Sequence, residues 1–345
     1  MTESIRGPNR LADTLLSSST ALTTPSEALV RVTEAAAFAS ARAMGHGDGK
    51  RADGLAVEAM RQALEDVHLS GRIVIGEGER DAAPMLYIGE DVGDPSGQRV
   101  DIAVDPLEGT DLVATGRSNA VAVMAISEPD GLLHAPDMYL EKLIVGPPAA
   151  GRINLDFPVV ANLQIIADSL SRQISDLTVI VLDRERHRDL ITDIREAGAR
   201  IKLIGDGDVV AAVSVAVAGT ADHVVMGIGG APEGVLAAAA LRCLGGEIQA
   251  RFRPRNDDEI SRLHAMGISD FTTRVLTTTD LATGSMISFS MTGVTDGELL
   301  RGFRFFGGGG RTHSLVMDLE ADTIRFVDTM RIFDRDHVGP IRLTP

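Results

Sequence analysis

The 345-residue chain has no tryptophan, two tyrosines and one cysteine, and aromatic residues make up only 3% of it. So few rings exclude a stacking platform for single-stranded nucleic acid. Cys243 alone cannot build an internal disulfide framework or a cysteine-based zinc site. In the alanine-rich stretch 236–246 it reads as a buried core thiol. Positive charge is also scarce: 33 Lys and Arg stand against 49 Asp and Glu, a net charge of −16. Such a surface repels nucleic acid and anionic lipid. It repels a phosphorylated substrate too, unless cations or a local Arg/Lys cluster reverse the field. No apolar run reaches the ~18 residues of a membrane span. The N-terminus shows no basic region followed by an apolar core, so a soluble cytoplasmic protein is expected.

What is present is enough to fold. Hydrophobic residues are 44% of the chain, which excludes disorder as the main state. Residues 1–23, rich in serine and threonine, read as a mobile tail. Thr24-Pro25-Ser26-Glu27 forms a capping box with proline at the first helical position, so a helix is expected from there to about Met44. A second helix is expected over 54–68, with Leu55, Ala59, Ala63 and Val67 on one face. Short apolar strands follow at 72–75, 102–104 and 120–126. The loop-rich stretch 147–160 divides the chain into halves, 24–155 and 156–345. The second half alternates strands at 178–182, 201–204 and 223–226 with helices at 188–196, 209–217 and 232–243. That rhythm predicts a parallel α/β layer. Strand-like segments at 275–341 complete it, with Gly307–Gly310 as a turn or interface loop. The sequence shows no internal repeat.

Carboxylates recur where these elements stop. They lie in Lys50-Arg51-Ala52-Asp53-Gly54, Gly76-Glu77-Gly78-Glu79, Gly205-Asp206-Gly207-Asp208 and Gly229-Gly230-Ala231-Pro232-Glu233-Gly234. Each alone has an ordinary reading: Asp53 as a helix cap, Glu77 and Glu79 as loop acids, Asp206 and Asp208 as turn formers. Asp105-Pro106-Leu107-Glu108-Gly109-Thr110 is more telling. Asp105 follows an apolar strand, at the carboxyl end where open α/β sheets bind ligands. Pro106 is expected to end that strand. Glu108 can face the same point, Gly109 allows close backbone approach, and Thr110 presents a hydroxyl. Two carboxylates, a backbone and a hydroxyl suit Mg²⁺ or Mn²⁺.

This segment resembles the Asp-Pro-Ile/Leu-Asp/Glu-Gly-Thr signature of the metal-dependent, lithium-sensitive sugar and inositol phosphatases. Arg31–Ala35, Ala52–Gly54, Ile73–Glu79, Ala83–Tyr87, Ala135–Tyr139, Gly227–Gly234 and Thr292–Gly297 narrow the resemblance to class II (GlpX-type) fructose-1,6-bisphosphatases, over roughly residues 26–330.

That resemblance implies an α/β sugar-phosphatase fold, a layered αβαβα sandwich with the active site between two halves. It implies metal-dependent hydrolysis of the 1-phosphate of fructose 1,6-bisphosphate, in gluconeogenesis and glycerol metabolism. Two or more Mn²⁺ or Mg²⁺ ions are implied, one held by Asp53 and Glu77 and another by Asp105, Glu108 and Glu233. Thr110 is implied to orient the attacking water and Asp81 to assist proton transfer. Substrate contacts carry over to Glu108, Gly109, Thr110, Tyr139, Arg184, Glu185, Arg186, Asp206, Gly207, Asp208 and Gly230. The arginine pair would grip the distal phosphate.

The implied partners are a sugar bisphosphate and other copies of the chain, as a homodimer or homotetramer. Four positions depart from the family pattern: Lys50 sits one residue late, Ala82 stands where an acid is common, Glu185 replaces a proline, and Asp111 adds charge beside Thr110. His187 is expected to be a solvated residue at a helix start. Sedoheptulose 1,7-bisphosphate is the alternative substrate, and a non-catalytic sugar-phosphate binder the alternative class. A dinucleotide-dependent oxidoreductase is disfavoured, because no Gly-x-Gly-x-x-Gly follows a strand with an acid about twenty residues on.

Overall fold

The computed structural model describes residues 24–78 and 85–333. The expected N-terminal tail, Asp81 and the end of the last expected strand region lie outside the described residues.

The helix after Thr24 forms as α1, Pro25–Ala41, with the capping box closed in both directions. The next helix, α2, Gly49–Glu65, begins five residues before the expected start, because Asp48 caps it by accepting from the Arg51 N–H. Asp53 is therefore not a cap; it lies within the helix. One sheet then runs in the order β11-β12-β10-β4-β3-β1-β2, with β13 also paired to β12. Its strands are β1 (Leu69–Ile75), β2 (Asp91–Gly93), β3 (Gln98–Glu108), β4 (Val121–Ser127), β10 (Ser288–Gly293), β11 (Arg304–Phe306), β12 (Gly309–Asp318) and β13 (Thr323–Ile332).

Pro106 does not end β3, contrary to expectation. The strand continues to Glu108 through a register shift against β4 between Asp105 and Glu108, the kind of bulge that accommodates a residue without an N–H. Gly109 then turns the chain at φ 94°, where an added Cβ would meet the Leu112 side chain at 2.8 Å, and α3 (Thr110–Thr115) begins.

The second sheet has the order β7-β6-β8-β5-β9, built from β5 (Tyr139–Val145), β6 (Thr178–Leu182), β7 (Arg200–Ile204), β8 (Val224–Gly230) and β9 (Glu247–Phe252). It is mixed rather than wholly parallel. β6 runs parallel to β7 and β8, as the strand–helix rhythm predicts, whereas β5 runs antiparallel to β8 and β9. β5 precedes residue 155 yet joins this sheet, and β10–β13 follow it yet complete the first.

Five layers result. α1 and α2 cover one face of the first sheet, where Leu29, Phe38, Met60 and Leu64 meet Ile102, Val104, Met124 and Ile126. The other face, with Val121, Val123, Phe289 and Met291, packs on α6 (Asp208–Ala216) and α7 (Ala231–Leu244). Those helices also meet Leu140, Ile144, Val225 and Ile248 of the second sheet. Being sandwiched between sheets, they are apolar on all sides, and the alanines of α7 let the sheets approach. α4 (Val159–Ser169) and α5 (Arg188–Glu196) cover the far face of the second sheet. The last helices, α8 (Asp257–Ala265) and α9 (Thr278–Leu281), lie between β9 and β10 in sequence. The architecture is the expected αβαβα sandwich. Among the described residues no helix is long and apolar enough to cross a membrane.

Candidate active site

The bulged end of β3, the start of α3, and the N-termini of α6 and α7 converge on a cavity of about 310 Å³. Its lining includes Asp53, Glu77, Asp105, Glu108, Gly109, Thr110, Asp137, Asp206 and Glu233. All five sequence-predicted metal ligands are thus brought to one cavity, from α2, the end of β1, β3 and α7. A second cavity of about 320 Å³, lined by Arg301, Arg304, Arg311 and His313, contains none of them.

Crowded, buried carboxyls resist ionisation, first by desolvation and then by mutual repulsion. Burial pushes Glu77 up to about 7, helped by Asp53, and raises Asp53 itself. Burial raises Asp105 well above its ordinary value, with Glu108, Glu233, Glu77 and Asp206 adding to it. Asp206 is raised in the same way. Glu108 is raised by burial although its Oε1 accepts from the Val209 N–H at 2.7 Å and its Oε2 from the Val210 N–H at 3.2 Å. Glu233 is raised by burial against the opposing pull of Lys142, and its Oε2 is buried with no hydrogen-bond partner among the described residues. Gly230 is what admits that side chain, since a Cβ there would stand 1.9 Å from Oε2. An all-oxygen set with an orphaned carboxylate oxygen fits hard divalent cations.

Thr110 occupies the first position of α3 at the cavity wall, its hydroxyl donating to the Leu107 carbonyl at 3.3 Å. Asp111 is exposed, and its charge bears on Asp206. Lys50 is exposed and absent from the cavity lining.

The remaining predicted contacts gather beside this cavity. Tyr139 begins β5 directly opposite Gly230 of β8. Arg186 lies over the Tyr139 ring, 4.6 Å from its centroid, and donates through Nε and Nη2 to the Ile228 carbonyl. Arg184 donates to the Gly205 carbonyl at 2.8 Å, and its charge reaches Asp206. Glu185 is exposed and paired with Arg188 at 2.5 Å. Gly207, at φ 102°, precedes Asp208 at the start of α6.

Three features were missed by sequence reasoning. His187 is buried rather than solvated: Nδ1 donates to the Leu182 carbonyl and Nε2 accepts from the Ile228 N–H, each at 2.7 Å. This bridge ties the arginine-bearing turn to β8. Lys142 is buried and contacts Asp208 Oδ2 at 2.6 Å. Its signal was its register, between Leu140 and Ile144 on the inward face of β5. Arg255, over Tyr139 at 4.9 Å, left no signal beyond its charge.

Asp101, Asp130 and His134 also bring candidate ligand atoms within 4.8 Å of one another. They sit toward the other end of β3, with Asp101 roughly 13 Å along the strand from Asp105. There Asp101 Oδ2 accepts from the Asp130 N–H at 2.7 Å and from His134 Nε2 at 3.3 Å, which accounts for the grouping.

Residues 24–331 match the family profile of bacterial fructose-1,6-bisphosphatase, glpX-encoded. A protein of Synechococcus sp. (strain JA-3-3Ab) named D-fructose 1,6-bisphosphatase class 2/sedoheptulose 1,7-bisphosphatase is 52% identical over 339 residues, covering 91% of this chain and 97% of its own. A protein of the same name from Gloeobacter violaceus (strain ATCC 29082 / PCC 7421) is 47% identical over 333 residues, covering 90% and 96%.

Proposed function

This chain belongs to the bacterial glpX-encoded fructose-1,6-bisphosphatase family, and from that premise we propose that it hydrolyses the 1-phosphate of fructose 1,6-bisphosphate to fructose 6-phosphate and inorganic phosphate. The observation that carries the reading is the orphaned Glu233 Oε2 in a cavity of buried carboxyls with raised pKa values. Asp53, Glu77, Asp105, Glu108 and Glu233 would hold two or more divalent ions, Mn²⁺ or Mg²⁺. When bound, such ions neutralise phosphate charge and make water a better nucleophile at neutral pH.

The protein's own groups do the rest. Thr110 positions the attacking water with its hydroxyl, and the backbone at Gly109 gives the phosphate room. Water adds at phosphorus as the bond to the C1 oxygen breaks, and that oxygen leaves with a proton. Asp81, whose assignment rests on its motif, would help move the proton. Arg184, Arg186 and Tyr139 would hold the distal phosphate, and Asp206, Gly207, Asp208 and Gly230 the sugar. The exposed pairing of Glu185 with Arg188 supports a reading in which its charge does not oppose that binding.

The relatives' names carry a second substrate, and we propose that sedoheptulose 1,7-bisphosphate is also turned over. We further propose a cytoplasmic homodimer or homotetramer; the half-exposed Ile324 and Phe326 on β13 support a face covered by another copy. Phosphate release from each bisphosphate, with Mn²⁺, with Mg²⁺ and with a chelator, tests the reading. Release that survives chelation overturns the metal role, and no release from either sugar overturns the hydrolase.

A further inference from the structure

In a chain of net charge −16, guanidinium groups cluster where β5 begins. Arg186 and Arg255 come from turns 69 residues apart in sequence, yet both lie over the Tyr139 ring, at 4.6 and 4.9 Å from its centroid. Contact with the face of an aromatic ring holds a cation without cancelling its charge. Arg186 is otherwise held by the neutral Ile228 carbonyl. Arg255 is set by several bonds. The Arg253 N–H donates to the Tyr139 carbonyl at 2.9 Å and brings the chain leaving β9 alongside β5. Glu259, in the first turn of α8, then accepts from the Arg255 backbone N–H and from its Nε, both at 2.7 Å. Glu259 occupies one edge of the guanidinium and leaves the Nη1 donors for a ligand.

Glu259 also pairs with Arg255 Nη2 at 2.6 Å and offsets part of its charge, so a phosphate dianion would draw on the Nη1 donors of the two guanidiniums, unoccupied among the described residues, and on the Arg186 charge. The platform borders the acidic cavity: Asp137 lines that cavity and its charge acts on Arg255. A bisphosphate has one end for the acids and their metals and one end for the cations. We propose that Arg255 is a further binding residue for the substrate's far phosphate, gripping it together with Arg186 across Tyr139. The inference rests on the sugar-bisphosphatase reading above and adds to it a further residue that favours bisphosphates over monophosphates.

The test compares R255M and R255K with the unaltered protein on fructose 1,6-bisphosphate and on fructose 1-phosphate, which lacks the far phosphate. R255M is expected to lower the ratio of kcat/KM on the bisphosphate to that on the monophosphate by about tenfold or more, mostly through KM, as when one charge-assisted hydrogen bond is lost. R255K, keeping the charge without the planar fork, should recover part of the ratio. An equal fall on both substrates, or no change in the ratio, overturns the proposal. Calorimetric binding of fructose 6-phosphate in the absence of metal separates this inference from the reading beneath it. Binding weakened tenfold or more in R255M upholds the clamp even if no bisphosphate is turned over; unchanged binding overturns it even if turnover is brisk.

Discussion

Glu108 accepts a hydrogen bond from the backbone N–H of Val209 at 2.7 Å, and with its other oxygen one from Val210 at 3.2 Å. A carboxylate from the first sheet is thereby seated on the N-terminus of α6 in the middle layer. Free N–H groups and the helix dipole favour the anion there. Burial and the neighbouring acids oppose it, and they prevail: the Glu108 pKa is well raised. The contact therefore fixes where the acid is, while its charge waits on a counter-ion.

The metal-free protein should lose stability as pH rises. Glu77 titrates near 4.5 when unfolded and at about 7 when folded. Between those values the folded state binds more protons, so raising the pH through that window favours unfolding. Melting curves in chelator should fall from pH 5 to pH 8, and Mn²⁺ or Mg²⁺ should raise Tm more at pH 8 than at pH 5. A metal-induced shift that does not change with pH contradicts this account.

Glu233→Gln replaces a buried carboxyl, whose Oε2 has no hydrogen-bond partner among the described residues, with an amide whose N–H groups can donate to nearby carboxylates. Tm in chelator should stay level or rise, while the Tm gain from metal and the rate of phosphate release both fall. Full metal-dependent turnover by this variant would falsify the ligand assignment.

Thr110→Ala should reduce kcat roughly a hundredfold or more, by analogy with loss of one precisely placed hydrogen-bonding group, and leave calorimetric metal affinity nearly unchanged. Thr110→Ser keeps the hydroxyl and should retain most of the rate. Equal rates for the two variants would remove the hydroxyl from the mechanism.

The Lys142–Asp208 contact joins two side chains almost shielded from water. Removing one partner of such a pair strands the other, at a cost of about 3 kcal/mol. Lys142→Met should lower stability by that order in denaturant titrations, and adding Asp208→Asn should restore more than half of it. Strictly additive losses would mean that the two groups are energetically independent.

Much of this was legible in the sequence because it was local. The Thr24 capping box, the strand at Thr178–Leu182 and the helix at Arg188–Glu196 follow from neighbours a few residues apart. The acids could be gathered only through their resemblance to known motifs, since no periodicity brings Asp53 to Glu233. What escaped was set by distant partners. His187 reads as polar and exposed until the Leu182 carbonyl and the Ile228 N–H enclose it. The parallel layer became mixed because β5 inserts between β8 and β9. Pro106 stayed in its strand because β4 tolerated a bulge opposite it.

Asp53 and Glu233 lie 180 residues apart in the chain, and the acids between them arrive on separate elements. A growing or partly folded chain offers a cation at most the nearby pair Asp105 and Glu108. Closing loops of that length precedes any reward from the contacts they make. On the proposed ligand assignment, ion capture would follow the docking of the layers rather than guide it.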